Sequence, residues 1–229
     1  KIPFRKSMRW SDGEVPFGRP VRWIVALLGA DEVEVEFAGV RSGRATAGHR
    51  FLAPGPHQVA HARDYVEALR KAHVFVELDE RRRTMVERLR EAAAAAGGVL
   101  IEDAFLVEEN LSLVEEPQIV SGGFDEEFLK LPERVILDVA KGHQRYFGVR
   151  DAKGKLLPKY LAVVNTAENP ENVRRGNDRV MRARLADAKF FYESDLKTRL
   201  EDRLPKFEQI VFHEKLGTQG ERIKRIERL

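Results

Sequence analysis

The chain has 229 residues, 43% apolar and 34% charged, with a formal net charge of +3. That allows one large domain, or one domain and part of another, and no global field that would select a partner. There is no cysteine, which excludes disulfides, thiolate zinc sites and cysteine nucleophiles; no apolar run reaches membrane-spanning length and no signal-peptide core opens the chain, so a cytoplasmic protein without a membrane partner is expected. The chain starts at Lys1 rather than Met and stops inside the charged run 221–229, so a piece of a longer protein is expected.

In chain order, "KSMRW" at 6–10 reads as a basic strand or turn with Trp10 anchored in a core. "RPVRWIVALLG" at 19–29 has proline at its start and glycine at its stop, the punctuation of a short buried helix. The alternation in "VEVEF" at 33–37 predicts a strand, with a second near 41–47. Helices are predicted over 58–72 and 79–96, the latter with Asp79 as N-cap and Gly97-Gly98 as stop, and a short strand at 74–76 lies between them. A helix over 105–114 and a strand at 118–120 follow. A helix over 132–140, with proline in its first turn, leads into strands 146–149 and 160–164 around a turn at 151–155. From Glu171 onward the patterns are helical, with no strand longer than 210–212. The fold class is therefore α+β: a mixed-sheet domain with packed helices over 1–166, then a helical segment over 167–229 that starts a second domain.

Charge is segregated along the chain. Residues 102–133 hold ten acids against the single base Lys130, whereas 174–184 hold five arginines against Asp178 alone. The acidic stretch is expected to be a solvated face or the dock for a basic partner.

The chemistry-bearing motifs are few. Neither a G-x-x-x-x-G-K-[ST] loop nor a G-x-G-x-x-G loop is present, so no nucleotide site is expected, and no serine stands in a G-x-S-x-G elbow. His57 and His61 are four apart, but the stretch lacks the glutamate base of a metalloprotease, so two surface histidines are the simpler reading and no metal site is assigned. No histidine is followed by aspartate, so a His-Asp phosphohydrolase motif is absent. Two stretches share a cue: Gly48-His49-Arg50-Phe51 and Gly142-His143-Gln144-Arg145-Tyr146-Phe147. Glycine permits close backbone approach, His and Arg donate to phosphate or ribose, and aromatics stack on bases. A bulged strand start with an inward aromatic explains the same residues; on that reading Gly142 is a close-approach hinge and Tyr146 or Phe147 points inward. His49, Arg50, His143, Gln144 and Arg145 are thus candidates for an RNA or interdomain contact, with catalysis by His143 left as a lesser alternative.

The segment 171–195 is the clearest element. Met181, Leu185, Ala188 and Tyr192 fall at helical spacing and predict a core stripe, with Val180 and Phe191 beside it. Arg174, Arg175, Arg179, Arg182 and Arg184 cluster toward its start. Guanidinium forks at a helix N-terminus suit phosphate binding, and pairing with the acidic stretch fits the same residues equally well.

"KSMRW", "RPVRWIVALLG", "GHRF", "GHQRYF", "NPENVRRGNDRVMRARLADAKFFYESDL" and "FHEKLGT", in this order, resemble the β subunit of bacterial heterotetrameric glycyl-tRNA synthetase. The resemblance covers essentially the whole chain and is most specific over 172–195. It implies a glycine–tRNA ligase in which a separate α subunit, using ATP and Mg2+, carries the aminoacylation site, while the β subunit contributes tRNA(Gly) recognition and assembly. The fragment itself would hold no cofactor and no catalytic residue, and its partners would be the α subunit, tRNA(Gly) and the remaining β domains. The α+β part looks similar to the editing-domain-like module of the phenylalanyl-tRNA synthetase β chain, and the tail from about residue 207 looks like the start of a helical His-Asp-type domain. Glycine is the smallest amino acid, so a size filter excludes larger impostors at the synthetic site; a hydrolytic editing-like module using His143 or His49 is left as an alternative, and so is a purely structural interaction module.

Overall fold

The computed structural model describes residues 4–166 and 168–229. At its centre lies a four-stranded antiparallel sheet built from β8 (Val99–Leu100), β9 (Gln118–Gly123), β10 (Phe147–Arg150) and β11 (Leu156–Val164), in the spatial order β8-β10-β11-β9. On one face pack α2 (Leu78–Ala95) and α3 (Ala104–Leu111), with Met85, Leu89, Leu106 and Leu111 set against Phe147, Val149 and Leu161. On the other pack α4 (Glu133–Val139) and the first two-thirds of α5 (Pro170–Leu196), with Ile136, Met181 and Leu185 set against Leu156, Tyr160 and Ala162. A sheet covered on both faces needs apolar residues at consecutive positions, and "YLAVV" in β11 supplies them: Tyr160 and Ala162 go to one face, Leu161 and Val163 to the other.

Before this sandwich, residues 24–72 form short ladders: β1 (Ile24–Val25), β2 (Leu27–Leu28), β3 (Asp31–Glu32), β4 (Glu36–Phe37), β5 (Val40–Gly43), β6 (Ala45–Ala47) and β7 (Pro56–Gln58), closed by α1 (Tyr65–Lys71). After it come a 3-10 segment at Glu201–Gln209, the hairpin of β12 (Val211–His213) and β13 (Gly217–Thr218), and α6 (Gln219–Glu227), whose start carries a Thr218–Glu221 capping box.

The α+β class, the helices at 79–96, 105–114 and 132–140, the strands around 118–120, 146–149 and 160–164, and the turn at 151–155 agree with the sequence within a few residues. Five expectations are corrected. Residues 19–29 are not a helix: Ile24-Val25 pairs in parallel with Ser42-Gly43, and Leu27-Leu28 pairs with Asp31-Glu32. The apolar run between proline and glycine fits either element, and the β-branched Ile24 and Val25 tip it to strand once a partner is available. Residues 74–76 are extended without a ladder, because the Phe75 carbonyl is taken by the Arg81 guanidinium and its amide by the Glu115 carbonyl. The helix of 58–72 is confined to Tyr65–Lys71, and α2 starts after Glu77 as N-cap, with Asp79 inside its first turn bonded to Arg82. Trp10 is half-buried at a turn and lies outside both core clusters.

Candidate nucleic-acid interface

Helix α5 starts cleanly because Asn169 caps it: its Oδ1 accepts from the Asn172 amide at 3.2 Å, and Pro170 fills the first turn. Glu171 also sits in that turn, so the helix start already carries an anion. The predicted stripe is present, with Met181 and Leu185 buried and Tyr192 packed on the same cluster, but Val180 and Phe191 are exposed rather than beside the core.

The five arginines divide by what they touch. Arg174 bonds both carboxylate oxygens of Glu171, at 3.0 and 2.6 Å, and reaches Asp178 Oδ2 at 2.7 Å. Asp178 is the tie between helix and sheet: its Oδ1 accepts from the Tyr160 hydroxyl at 2.8 Å and from the Gly123 amide at 3.0 Å. Tyr160 is buried and stacks on Tyr146 with ring centroids 4.5 Å apart. Burial, then the Asp178 hydrogen bond, holds the Tyr160 phenol far above its ordinary titration range; burial and the Asp178 charge push Tyr146 up to about 12. Both rings therefore stay protonated donors at any physiological pH. Gly122 is required here, since a Cβ would collide with the Tyr160 ring and hydroxyl.

Arg182 pairs with Asp125 at 3.1 Å, and Lys189 with Glu127 at 2.8 Å. Arg175 touches only the Asn172 side-chain oxygen, and among the described residues neither Arg179 nor Arg184 has a carboxylate partner; all three are exposed. Arg175, Arg179 and Arg182 recur at four- and three-residue spacing and so run along one side of the helix, whereas Arg184 lies off it.

The acidic stretch proves to be a partner for the chain's own bases. Glu102, Asp103, Glu108, Glu109, Glu116, Asp125, Glu127 and Glu133 pair respectively with Arg90, Lys141, Arg82, Arg145, Arg88, Arg182, Lys189 and Arg150. It is therefore not an open acidic face.

The two Gly-His stretches sit elsewhere. Gly48 makes the expected close approach: a Cβ there would lie 2.7 Å from Ala72 Cβ and 2.9 Å from the Ala53 carbonyl oxygen. His49 is 1% exposed; Nδ1 accepts from the Phe51 and Leu52 amides at 3.2 and 3.1 Å, which leaves Nε2 as the donor to the Asn165 carbonyl at 2.6 Å. Arg50 is exposed beside it. In the second stretch α4 runs on into a π-helical turn, Ala140–Gln144, and Arg145 adopts φ +56°. Gly142 has nothing within 4 Å of a would-be Cβ, so it is not a close-approach hinge; Arg145 makes the bend. His143 is exposed, Gln144 is half-buried, and Arg145 pairs with Glu109 at 3.2 Å. Tyr146 and Phe147 are both buried, on opposite faces of the sheet. The predicted residues thus occupy three places: the 48–51 loop, the turn after α4, and α5. His57 lies in β7 and His61 caps the turn before α1, so they share no helix face. Among the described residues no cluster of His, Asp or Glu is placed to hold a metal, and no helix is long and apolar enough to cross a membrane.

Sequence reasoning missed the Tyr160–Asp178 tie. The i,i+4 spacing of Arg174 and Asp178 signalled half of it; the partner on β11 left no local mark.

A family model described as "Glycyl-tRNA synthetase beta subunit" matches residues 1–229. Among curated relatives the chain is 46% identical over its full length to the glycine–tRNA ligase beta subunit of Moorella thermoacetica, 47% to that of Myxococcus xanthus and 41% to that of Listeria monocytogenes. In each case it covers 33% of the relative, so the chain spans about a third of the length of the proteins it matches.

Proposed function

Because the chain belongs to the glycyl-tRNA synthetase beta subunit family, we propose that it serves tRNA(Gly) recognition and assembly within a glycine–tRNA ligase. In this reading ATP, Mg2+ and the joining of glycine to tRNA belong to a separate α subunit. The likeness of the α+β part to the editing-type module of phenylalanyl-tRNA synthetase is part of the same reading.

The observation that carries RNA recognition is the division of labour on α5. Asp178, Tyr160 and Arg174 clamp the helix to the sheet, and Arg175 and Arg179 stand outward without carboxylate partners among the described residues. A rigid helix presenting guanidinium groups one turn apart matches a phosphate backbone. The assembly part rests on the far end of the helix and the residues just after it, where Phe190, Phe191, Leu196 and Leu200 are 64–82% exposed. Apolar side chains at that density mark a surface that another domain or subunit covers.

The test is Arg175→Glu with Arg179→Glu in the full α–β complex. We expect tRNA affinity to fall at least about tenfold, and the slope of log affinity against log salt to shrink by about one for each phosphate that is no longer neutralised. An unchanged slope makes these arginines structural. A hydrolytic role for His49 is disfavoured by geometry, since backbone groups occupy both ring nitrogens.

A further inference from the structure

Many arginines of the sandwich are matched by acids, Arg82, Arg88, Arg90, Arg145, Arg150, Arg174 and Arg182 among them, and those near the start of the chain are not. Arg5, Lys6, Arg9, Arg19 and Arg22 are all exposed, and among the described residues none has a carboxylate partner; the same stretch holds only two acids, Asp12 and Glu14. Trp23 follows directly. It is 49% exposed, although tryptophan is normally the side chain whose burial gains most.

Trp23 is exposed because it stands as a ridge between two hollows. One, of about 410 Å3, is lined by Trp23, Val25, Leu27, Ala62 and Tyr65. The other, of about 260 Å3, is lined by Trp23, Ala45, Thr46, Ala47, Gly55 and Pro56. Each hollow has an arginine close in sequence to its lining. Arg63, which pairs with Asp64 at 3.6 Å, follows Ala62 at the first, and the exposed Arg50 opens the loop that ends at Gly55 and Pro56 at the second. Phe51, 55% exposed, lies in that same loop.

We propose that Trp23 is a stacking platform for unpaired nucleotides of RNA, with the arginines of 5–22 and Arg50 following the phosphates. An exposed indole flanked by slots and by cations that, Arg63 apart, have no carboxylate partner among the described residues is the arrangement single-stranded nucleic acid uses, because any base offers a π-face and every linkage carries a charge. A duplex cannot use it, since its bases are stacked on one another. An apolar partner would leave the surplus of guanidinium groups uncompensated. The proposal rests on the reading that this chain meets tRNA, but it assigns a surface separate from α5.

The experiment uses the full α–β complex with a single-stranded RNA of about 12 nucleotides and, in parallel, the matching duplex. Trp23→Ala is expected to weaken single-strand binding about tenfold, the loss of one stacked base, while Trp23→Phe stays within about threefold and duplex binding is unmoved. Arg19→Glu with Arg22→Glu is expected to weaken single-strand binding and lower its salt slope. Trp23 is half-exposed, so the alanine variant should keep the far-UV circular dichroism and melting profile of the parent. Single-strand affinity unchanged in Trp23→Ala overturns the proposal. So does loss of subunit assembly on a sizing column with RNA binding intact, which would make the ridge a protein contact. The α5 reading fails separately, when Arg175→Glu and Arg179→Glu leave tRNA binding and its salt slope unaltered.

Discussion

At residues 48–51 the histidine goes inside and the phenylalanine out; at 142–147 the histidine is out and the two aromatics are in. The residue types are nearly the same, and the difference lies in what each loop must satisfy. The first closes against Ala72 and Asn165, far away in sequence, and needs a side chain with both an acceptor and a donor to serve three backbone groups at once; only histidine supplies both on one rigid ring. The second leaves a helix and enters a central strand. Its backbone is served by the π turn, the Tyr146 amide reaching the Ala140 carbonyl, so His143 is released to solvent and the aromatics fill the sheet. A shared motif therefore tells little about shared use until the partners of its backbone are known.

Three paired substitutions sharpen that contrast. Phe147→Ala empties the centre of the larger core cluster and should cost about 3–5 kcal/mol, whereas Phe51→Ala should change stability by less than about 0.5; urea midpoints of the two variants compare them directly. His49→Ala strands the Phe51 and Leu52 amides and the Asn165 carbonyl and should cost about 2–3 kcal/mol, while His143→Ala stays near zero. Hydrogen exchange at Phe51 and Leu52 separates these outcomes locally, and equal protection in both variants would put the two histidines on the same footing. Gly48→Ala should cost about 1–3 kcal/mol through its collisions with Ala72 and the Ala53 carbonyl, and Gly142→Ala should be neutral or stabilise by about 0.5 kcal/mol, because its site is open and its φ is not positive. Thermal melts of that pair should move in opposite directions or leave Gly142→Ala still.

The same contrast explains what was legible beforehand. Elements whose logic is local were read from sequence: α2 from its alanines and the glycine stop, the 147–164 hairpin from its turn residues, and α5 from the Met181–Leu185 spacing. Elements whose logic is remote were not. Ile24-Val25 is a strand because Ser42-Gly43 lies beside it, and 74–76 fails to be one because Arg81 claims the Phe75 carbonyl and Glu115 its amide. The candidate interface followed the same rule. The arginine cluster was visible at once, but which guanidinium groups are taken up by Glu171, Asp178 and Asp125 depends on pairings that span up to 57 residues. Trp23 gave no periodic signal, because an exposed indole is conspicuous only once its neighbours are known.

Asp178 has a mechanical consequence. Helix α5 runs 27 residues, about 40 Å, and it is held from Asp178 in its third turn, through Met181 and Leu185, to the Lys189–Glu127 pair and Tyr192. A rod held at several points along its length moves with the sheet as one body. It therefore acts as a ruler: Arg175 and Leu196 are kept about 30 Å apart, and whatever binds the arginine end and whatever covers the apolar end are set at that spacing.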